Sequence, residues 1–312
     1  MTPPSGFGER LGALVDRRES QLILGLDPDL GALWTTGAET PATGTPVEAA
    51  AAAVLSHCLA LIDAVAPACL GVKPQLARFE LLGAPGRRIL GEVVEHARGL
   101  GLLVIADGKR GDIDVTAEAY ARSLTGGVSS PFGAIPGLGA DLLTVNPLMG
   151  RDAIGPFVAA ARDVGAGILL LVRTSNPGAA DLEDLTLAGG ETVWERAAGL
   201  VAELGGEPAA GSRLSDVGAV MGATVPEHLA RARELMPHAV FLLPGIGAQG
   251  GRVEDLAPAF SPGRAGGLVS ASRSVADAHV KRGGSPARAA RAEAERLREA
   301  AWALAGQALT AL

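Results

Sequence analysis

The chain has 312 residues and a mass of 31.4 kDa; 48% of residues are apolar and 20% charged, enough for a buried core and without a disorder signature. With 27 basic and 34 acidic residues the net charge is −7 and the pI near 5.3, which excludes a general nucleic-acid surface, since phosphate backbones call for a basic face. No stretch approaches eighteen uninterrupted apolar residues, so no membrane span is expected, and the charged N-terminal stretch MTPPSGFGERLGALVDRRES predicts a cytoplasmic protein.

Short apolar runs alternate with helical patterns along the chain. The first run, Gln21–Leu26, is followed by a Gly/Pro-rich excursion, Thr35–Gly44. Thr45-Pro46-Val47-Glu48 is a capping box with proline at the first helical position, opening a helix to about Val65. Cys69–Val72 precedes a helix at Arg87–Gly99, and Leu102–Ala106 precedes one at Val115–Arg122. Residues 123–139 read as a loop insertion, Gly/Pro-rich from Thr125 to Gly139. Leu142–Val145 leads to a helix at Arg151–Arg162, Gly167–Val172 to Glu191–Leu204, and Val217–Met221 to Pro226–Leu235. Ala239–Leu243 and Gly267–Ser270 complete the runs, and Ser285-Pro286 starts the last helix.

These eight runs are apolar continuously rather than alternately, as strands buried on both faces of a parallel sheet are. Their alternation with helices, without a composition break, predicts an α/β fold: one (β/α)8 TIM barrel over residues 1–312, a single domain with extra surface loops. A doubly wound sheet is the alternative. Cys58 and Cys69 are too few, and too apolar in context, for a disulfide framework or a zinc site.

Function in such a barrel lies at the C-terminal ends of the strands. Those ends carry Asp27, Lys73, Asp107 with Lys109 and Asp112, Asn146, Arg173 with Ser175, Thr224, Gln249 and Arg273. The five histidines lie elsewhere, which disfavours histidine acid–base chemistry and a His-rich metal site. The chain has only three lysines against 24 arginines, and two of the three, Lys73 and Lys109, are on this short list. Lysine differs from arginine in that its ammonium can give up a proton.

The strongest local signal is Ala106-Asp107-Gly108-Lys109-Arg110-Gly111-Asp112-Ile113. Asp107 and Lys109 stand two apart at a strand end, so both side chains lean toward the barrel mouth. Carboxylates beside an ammonium favour its charged form, which suits Lys109 to a general acid and not to a Schiff-base nucleophile. Lys73 extends the cluster to a Lys–Asp–Lys–Asp array. A solvated loop with Asp112 as a helix N-cap is the plainer alternative.

The second signal is late in the chain. Pro244-Gly245-Ile246-Gly247-Ala248-Gln249-Gly250-Gly251 follows the seventh run and Ser270-Ala271-Ser272-Arg273 the eighth, where barrels often bind phosphate. Gly245, Gly247 and Gly250 also match G-x-G-x-x-G, but a dinucleotide fingerprint should open a βαβ unit, and this one follows six other strands. The stretch from Arg173 to Gly190 is long enough for a lid.

In combination and order, GLDP (Gly25–Pro28), GVKPQ (Gly71–Gln75), ADGKRGDI (Ala106–Ile113), TVNP (Thr144–Pro147), VRTSNPG (Val172–Gly178), PGIGAQGG (Pro244–Gly251) and SASR (Ser270–Arg273) make the chain resemble the orotidine 5′-phosphate decarboxylase family, in its longer bacterial branch (type 2). The resemblance implies decarboxylation of orotidine 5′-monophosphate to uridine 5′-monophosphate without a metal or organic cofactor. It implies Lys109 as the proton donor to the ring carbon, Asp107 beside the departing carboxylate, and Lys73 holding the aspartates and the ribose. It implies that Asp112 and Thr116 reach the neighbouring subunit's site in a homodimer. It further implies Asp27 on the ribose hydroxyls, Ser175 on the pyrimidine, and Gln249 with Arg273 on the phosphate, in the loop that includes Gly247. One departure is Ser272, where shorter members usually carry glycine; it is not placed among the site residues. Magnesium-dependent sugar-phosphate enzymes of the same barrel group share the Asp-x-Lys pair but generally place an acid where this chain has Lys73. A catalytically silent barrel that only binds nucleotides is the alternative from another class; loss of the charge array would be its trace, and the array is intact.

Overall fold

The computed structural model describes residues 6–34, 44–209, 211–247 and 250–310. Eight parallel strands close into a barrel: β1 (Leu22–Leu26), β2 (Gly71–Pro74), β3 (Leu103–Arg110), β4 (Leu142–Val145), β5 (Gly167–Arg173), β6 (Val217–Met221), β7 (Phe241–Leu243) and β8 (Gly267–Ala271). Each pairs with its neighbours in sequence, and β1 closes the ring against β8 through Leu22↔Val269 and Ile23↔Ser270. The chain is therefore a (β/α)8 TIM barrel, and the doubly wound alternative is excluded by closure.

Because strand side chains alternate, the strands other than β2 divide their residues between two apolar cores. Ile23, Leu103, Ile105, Leu142, Leu169, Val220, Leu242 and Leu268 pack inside the barrel, while Leu22, Leu24, Val104, Leu143, Ile168, Leu170 and Val269 face the surrounding helices. A helix at Phe7–Arg18 adds Phe7, Leu11 and Val15 to the inner core. Gly8 of this helix allows the close approach, since a Cβ there would collide with the Leu214 carbonyl.

The Thr45 capping box forms as predicted: its hydroxyl accepts from the Glu48 N–H, and the Glu48 carboxylate accepts from the Thr45 N–H at 2.8 Å. The helix it opens, Pro46–Val65, has the length and apolar composition to cross a membrane, contrary to the expectation that no segment would. Here it is a core helix, with Val54, Cys58, Leu61 and Ile62 buried, packed between helices Gly83–Gly99 and Pro286–Thr310. Within 123–139 the chain forms an antiparallel hairpin, Val128–Ser130 against Gly133–Ile135. Most of Thr35–Gly44 lies outside the described residues.

Candidate active site

The inward parity that builds the apolar core runs on to build a polar layer at the C-terminal end of the barrel. Beyond Ile23 the inward positions are Gly25 and Asp27; beyond Ile105, Asp107; beyond Leu142, Thr144; beyond Leu268, Ser270. Lys73 joins them by pairing with Gly25 across β1 and β2. A cavity of about 410 Å³ opens there, its wall including Asp27, Lys73, Asp107, Lys109, Ser175 and Arg273.

Asp107 is the centre of the layer. Lys73 Nζ lies 2.5 Å from its Oδ2 and Lys109 Nζ 2.6 Å from its Oδ1. The Thr144 hydroxyl donates to Oδ1 at 3.0 Å and the Gln75 amide to Oδ2 at 3.3 Å. Asp107 and Lys73 are 5% and 6% exposed, so this ion pair is desolvated, whereas the Lys109 side chain is 45% exposed at the cavity. Burial alone would raise the Asp107 pKa; the Lys73 and Lys109 ammonium groups outweigh it and bring it down to about 2. The carboxylate is thus charged at neutral pH and holds two cations in one place.

Lys109 itself has a left-handed backbone, φ +47°. The strand pairing slips there, Ala106 matching Leu143 but Arg110 matching Val145, so the lysine sits on a β-bulge. Its N–H donates to Thr144 Oγ1 at 2.8 Å, which secures a conformation that costs a lysine about 1 kcal/mol or more.

Of the four charges expected to form an array, three meet in this chain. Asp112 is half-exposed, its Oδ1 accepting from the Ile113 N–H, and Thr116 is exposed on the helix Asp114–Leu124; neither lines the cavity. Asp112 is not the helix N-cap either, that position being Ile113. Gly247 lines an adjoining cavity of about 870 Å³ that shares Arg273, and its N–H is taken by the Gly251 carbonyl at 3.0 Å. That larger cavity contains no member of the charged cluster. Gln249 lies outside the described residues. Gly245, Gly247 and Gly250 all have positive φ, and the loop leads into a 3-10 turn at Val253–Phe260 rather than the α-helix a dinucleotide fingerprint opens.

Three strand-end residues have other tasks. Asn146 Oδ1 accepts from the Leu148 N–H, and Thr224 donates to the Ser175 carbonyl at 3.4 Å. Arg173 is buried and forms a two-pronged ion pair with Asp184, both contacts 2.8 Å, while Glu183 accepts from the Thr174 N–H at 2.8 Å. These contacts bolt the long Thr174–Gly190 stretch to the rim next to Ser175. Thr144 and Gln75 were not singled out as site residues from the sequence. The signal for Thr144 was present, since it stands two residues beyond the inward Leu142. Among the described residues no cluster of three or more His, Cys, Asp or Glu side chains is placed to hold a metal ion.

The family model described as orotidine 5′-phosphate decarboxylase / HUMPS family matches residues 20–291. The orotidine 5′-phosphate decarboxylase of Rhodopirellula baltica is 42% identical over 278 residues, 88% of this chain and 89% of that one. That of Deinococcus radiodurans is 44% identical over 276 residues, 88% of this chain and 90% of its own. Among solved structures, the OMP decarboxylase of Leishmania donovani superposes with a TM-score of 0.70 at 31% identity, covering 95% of this chain and 99% of that one.

Proposed function

The chain belongs to the orotidine 5′-phosphate decarboxylase / HUMPS family, and on that premise we propose that it is a carboxy-lyase that converts orotidine 5′-monophosphate to uridine 5′-monophosphate and carbon dioxide, the last step of UMP synthesis. The observation that carries this reading is Asp107 held between Lys73 and Lys109 in a cavity that also has Ser175 and Arg273 on its wall.

The bond between the pyrimidine ring carbon and its carboxylate breaks, carbon dioxide leaves, and the electron pair stays on the ring carbon. Lys109 gives that carbon a proton, and its amine regains one from solvent. An ammonium already fixed by Asp107 and by the Thr144-pinned bulge meets the developing carbanion without reorganising water, the situation in which electrostatic stabilisation is worth most. Asp107 stands beside the departing carboxylate, and Lys73 keeps Asp107 charged and reaches toward the ribose. Asp27 accepts from ribose hydroxyls, Ser175 bonds the pyrimidine, and Arg273, exposed and without a side-chain partner among the described residues, grips the phosphate with Gln249 and the Gly247 loop. Phosphate binding far from the reacting carbon contributes energy to alignment. Lys73 also separates this reading from the magnesium-dependent sugar-phosphate enzymes of the barrel group.

We further read the active form as a homodimer in which Asp112 and Thr116 complete the partner's site, in a cytoplasmic protein. In support, neither residue lines the cavity of its own chain, and both lie on a stretch where Ile113 is 57% and Val115 71% exposed. The buried, free thiols of Cys58 and Cys69 suit a reducing compartment. The test is the absorbance change of orotidine 5′-monophosphate with purified protein, with and without EDTA: decarboxylation indifferent to chelation is expected, and no reaction, or a strict metal requirement, overturns the reading.

A further inference from the structure

Ser272 takes no part in the mechanism above, yet its surroundings single it out. It continues the inward parity of Leu268 and Ser270 past the end of β8, immediately precedes Arg273, and lines the same cavity as Asp27. On the nucleotide reading above, we propose that Ser272 is a substrate-binding residue whose hydroxyl donates a hydrogen bond to the phosphate monoester that Arg273 pairs with.

The first reason is a hydroxyl with nothing to do. Ser272 occupies the N-cap position of the short helix Arg273–Ala276, where a serine normally accepts a hydrogen bond from a backbone N–H one turn on. Here it makes no such bond, and its side chain has no other hydrogen-bond partner among the described residues. The residue is half-buried, so this donor sits unused on the wall of the cavity.

The second reason is that the opposite strand is cut to hold it there. Gly25 of β1 faces Ser272 so closely that a Cβ on Gly25 would fall on the Ser272 oxygen. Gly25 is therefore explained by close approach: the missing side chain is the space the hydroxyl fills. The notch fixes the oxygen between β1 and β8, with Asp27 two residues along one strand and Arg273 next along the other. A carboxylate such as Asp27 is an acceptor for sugar hydroxyls and repels an anion. A hydroxyl donor next to a guanidinium is the complement of a phosphoryl oxygen, and hydrogen bonds to charged acceptors are the strong ones.

The experiment compares binding of uridine 5′-monophosphate and of uridine, by calorimetry on the full chain, in wild type, Ser272→Ala and Arg273→Ala. Ser272→Ala is expected to weaken the nucleotide about tenfold and leave uridine unchanged, and to lower kcat/KM for orotidine 5′-monophosphate by a similar factor. Gly25→Ala, which displaces the hydroxyl, is expected to do the same and to lower Tm. Combining Gly25→Ala with Ser272→Gly relieves the crowding and recovers Tm without recovering nucleotide affinity. Nucleotide affinity unchanged in Ser272→Ala, while Arg273→Ala loses it, overturns the proposal and leaves the decarboxylase reading standing. Parallel weakening of uridine also overturns it, by moving the contact to the nucleoside. A wild-type chain that binds no nucleotide overturns the decarboxylase reading, and this proposal with it.

Discussion

The Thr144 hydroxyl accepts from the Lys109 N–H at 2.8 Å and donates to Asp107 Oδ1 at 3.0 Å, so one side chain fixes the backbone of the lysine and the carboxylate that its ammonium binds. Thr144→Val keeps the shape and removes both bonds, one of them to a charged acceptor and the other holding a left-handed lysine. We expect kcat to fall about 10- to 100-fold, with uridine 5′-monophosphate affinity changed less than about threefold. Thr144→Ser restores the hydroxyl and most of kcat. Loss that is all in KM, or no rescue by serine, would reduce Thr144 to a packing residue.

Asp107 links the site to acid stability. Its folded-state pKa, about 2, lies below the ordinary aspartate value, so its contribution is fully present above about pH 4 and disappears as pH falls toward 2. The stabilisation at stake is about 2 kcal/mol. Urea unfolding followed between pH 5 and pH 2.5 should show this loss in the wild type. Asp107→Asn, which cannot titrate, should lack that share of the decline; superimposable pH profiles would show that Asp107 does not carry it.

Sharing of sites is testable by mixing. Lys109→Ala and Asp112→Ala chains, each inactive alone, should regain activity when unfolded and refolded together, because hybrid dimers contain one site with both residues intact. About a quarter of wild-type activity per chain is the statistical expectation for random pairing of equal amounts. No recovery, with dimers verified by light scattering, contradicts the shared site.

Arg233 makes a structural prediction away from the chemistry. Its buried guanidinium donates to the carbonyls of Met236, Ala239, Ala259 and Gly266 and stacks 3.8 Å from the Phe241 ring centroid, tying the base of β7 to the segment before β8. Arg233→Met orphans several buried acceptors and should cost about 3 kcal/mol in urea unfolding, with kcat of the folded enzyme unchanged. Arg233→Lys should recover little of it, since an ammonium cannot reproduce the planar fork. Stability within 0.5 kcal/mol of wild type in Arg233→Met, the usual range for a surface substitution, would show the carbonyls to be satisfied otherwise.

Much of the barrel was legible because parallel strands buried on both faces are apolar without interruption. Leu142–Val145 and Val217–Met221 have the predicted bounds, and the other strands differ by up to a few residues at their ends, β3 running on to Arg110 because its bulge keeps pairing after the apolar run stops. The helix Phe7–Arg18 was not anticipated: Phe7, Leu11 and Val15 have helical spacing, but charges and glycines dilute it, and burial in the inner core stabilises what propensity does not. The hairpin at 128–135 lies where the sequence predicts only a loop, since its strands are three residues each and mostly exposed. At the site, Asp107, Lys109 and Lys73 were visible as scarce lysines at strand ends. The roles of Thr144 and Gln75 depend on where a neighbouring strand places an oxygen or an amide, which one strand's own pattern does not carry.

The central claim is that the Lys109 ammonium protonates the ring carbon, and its most direct measurement is turnover of orotidine 5′-monophosphate by Lys109→Ala alongside its affinity for uridine 5′-monophosphate. The account predicts that turnover falls by at least about a thousandfold while the nucleotide still binds. A Lys109→Ala enzyme that keeps most of the wild-type rate would contradict it.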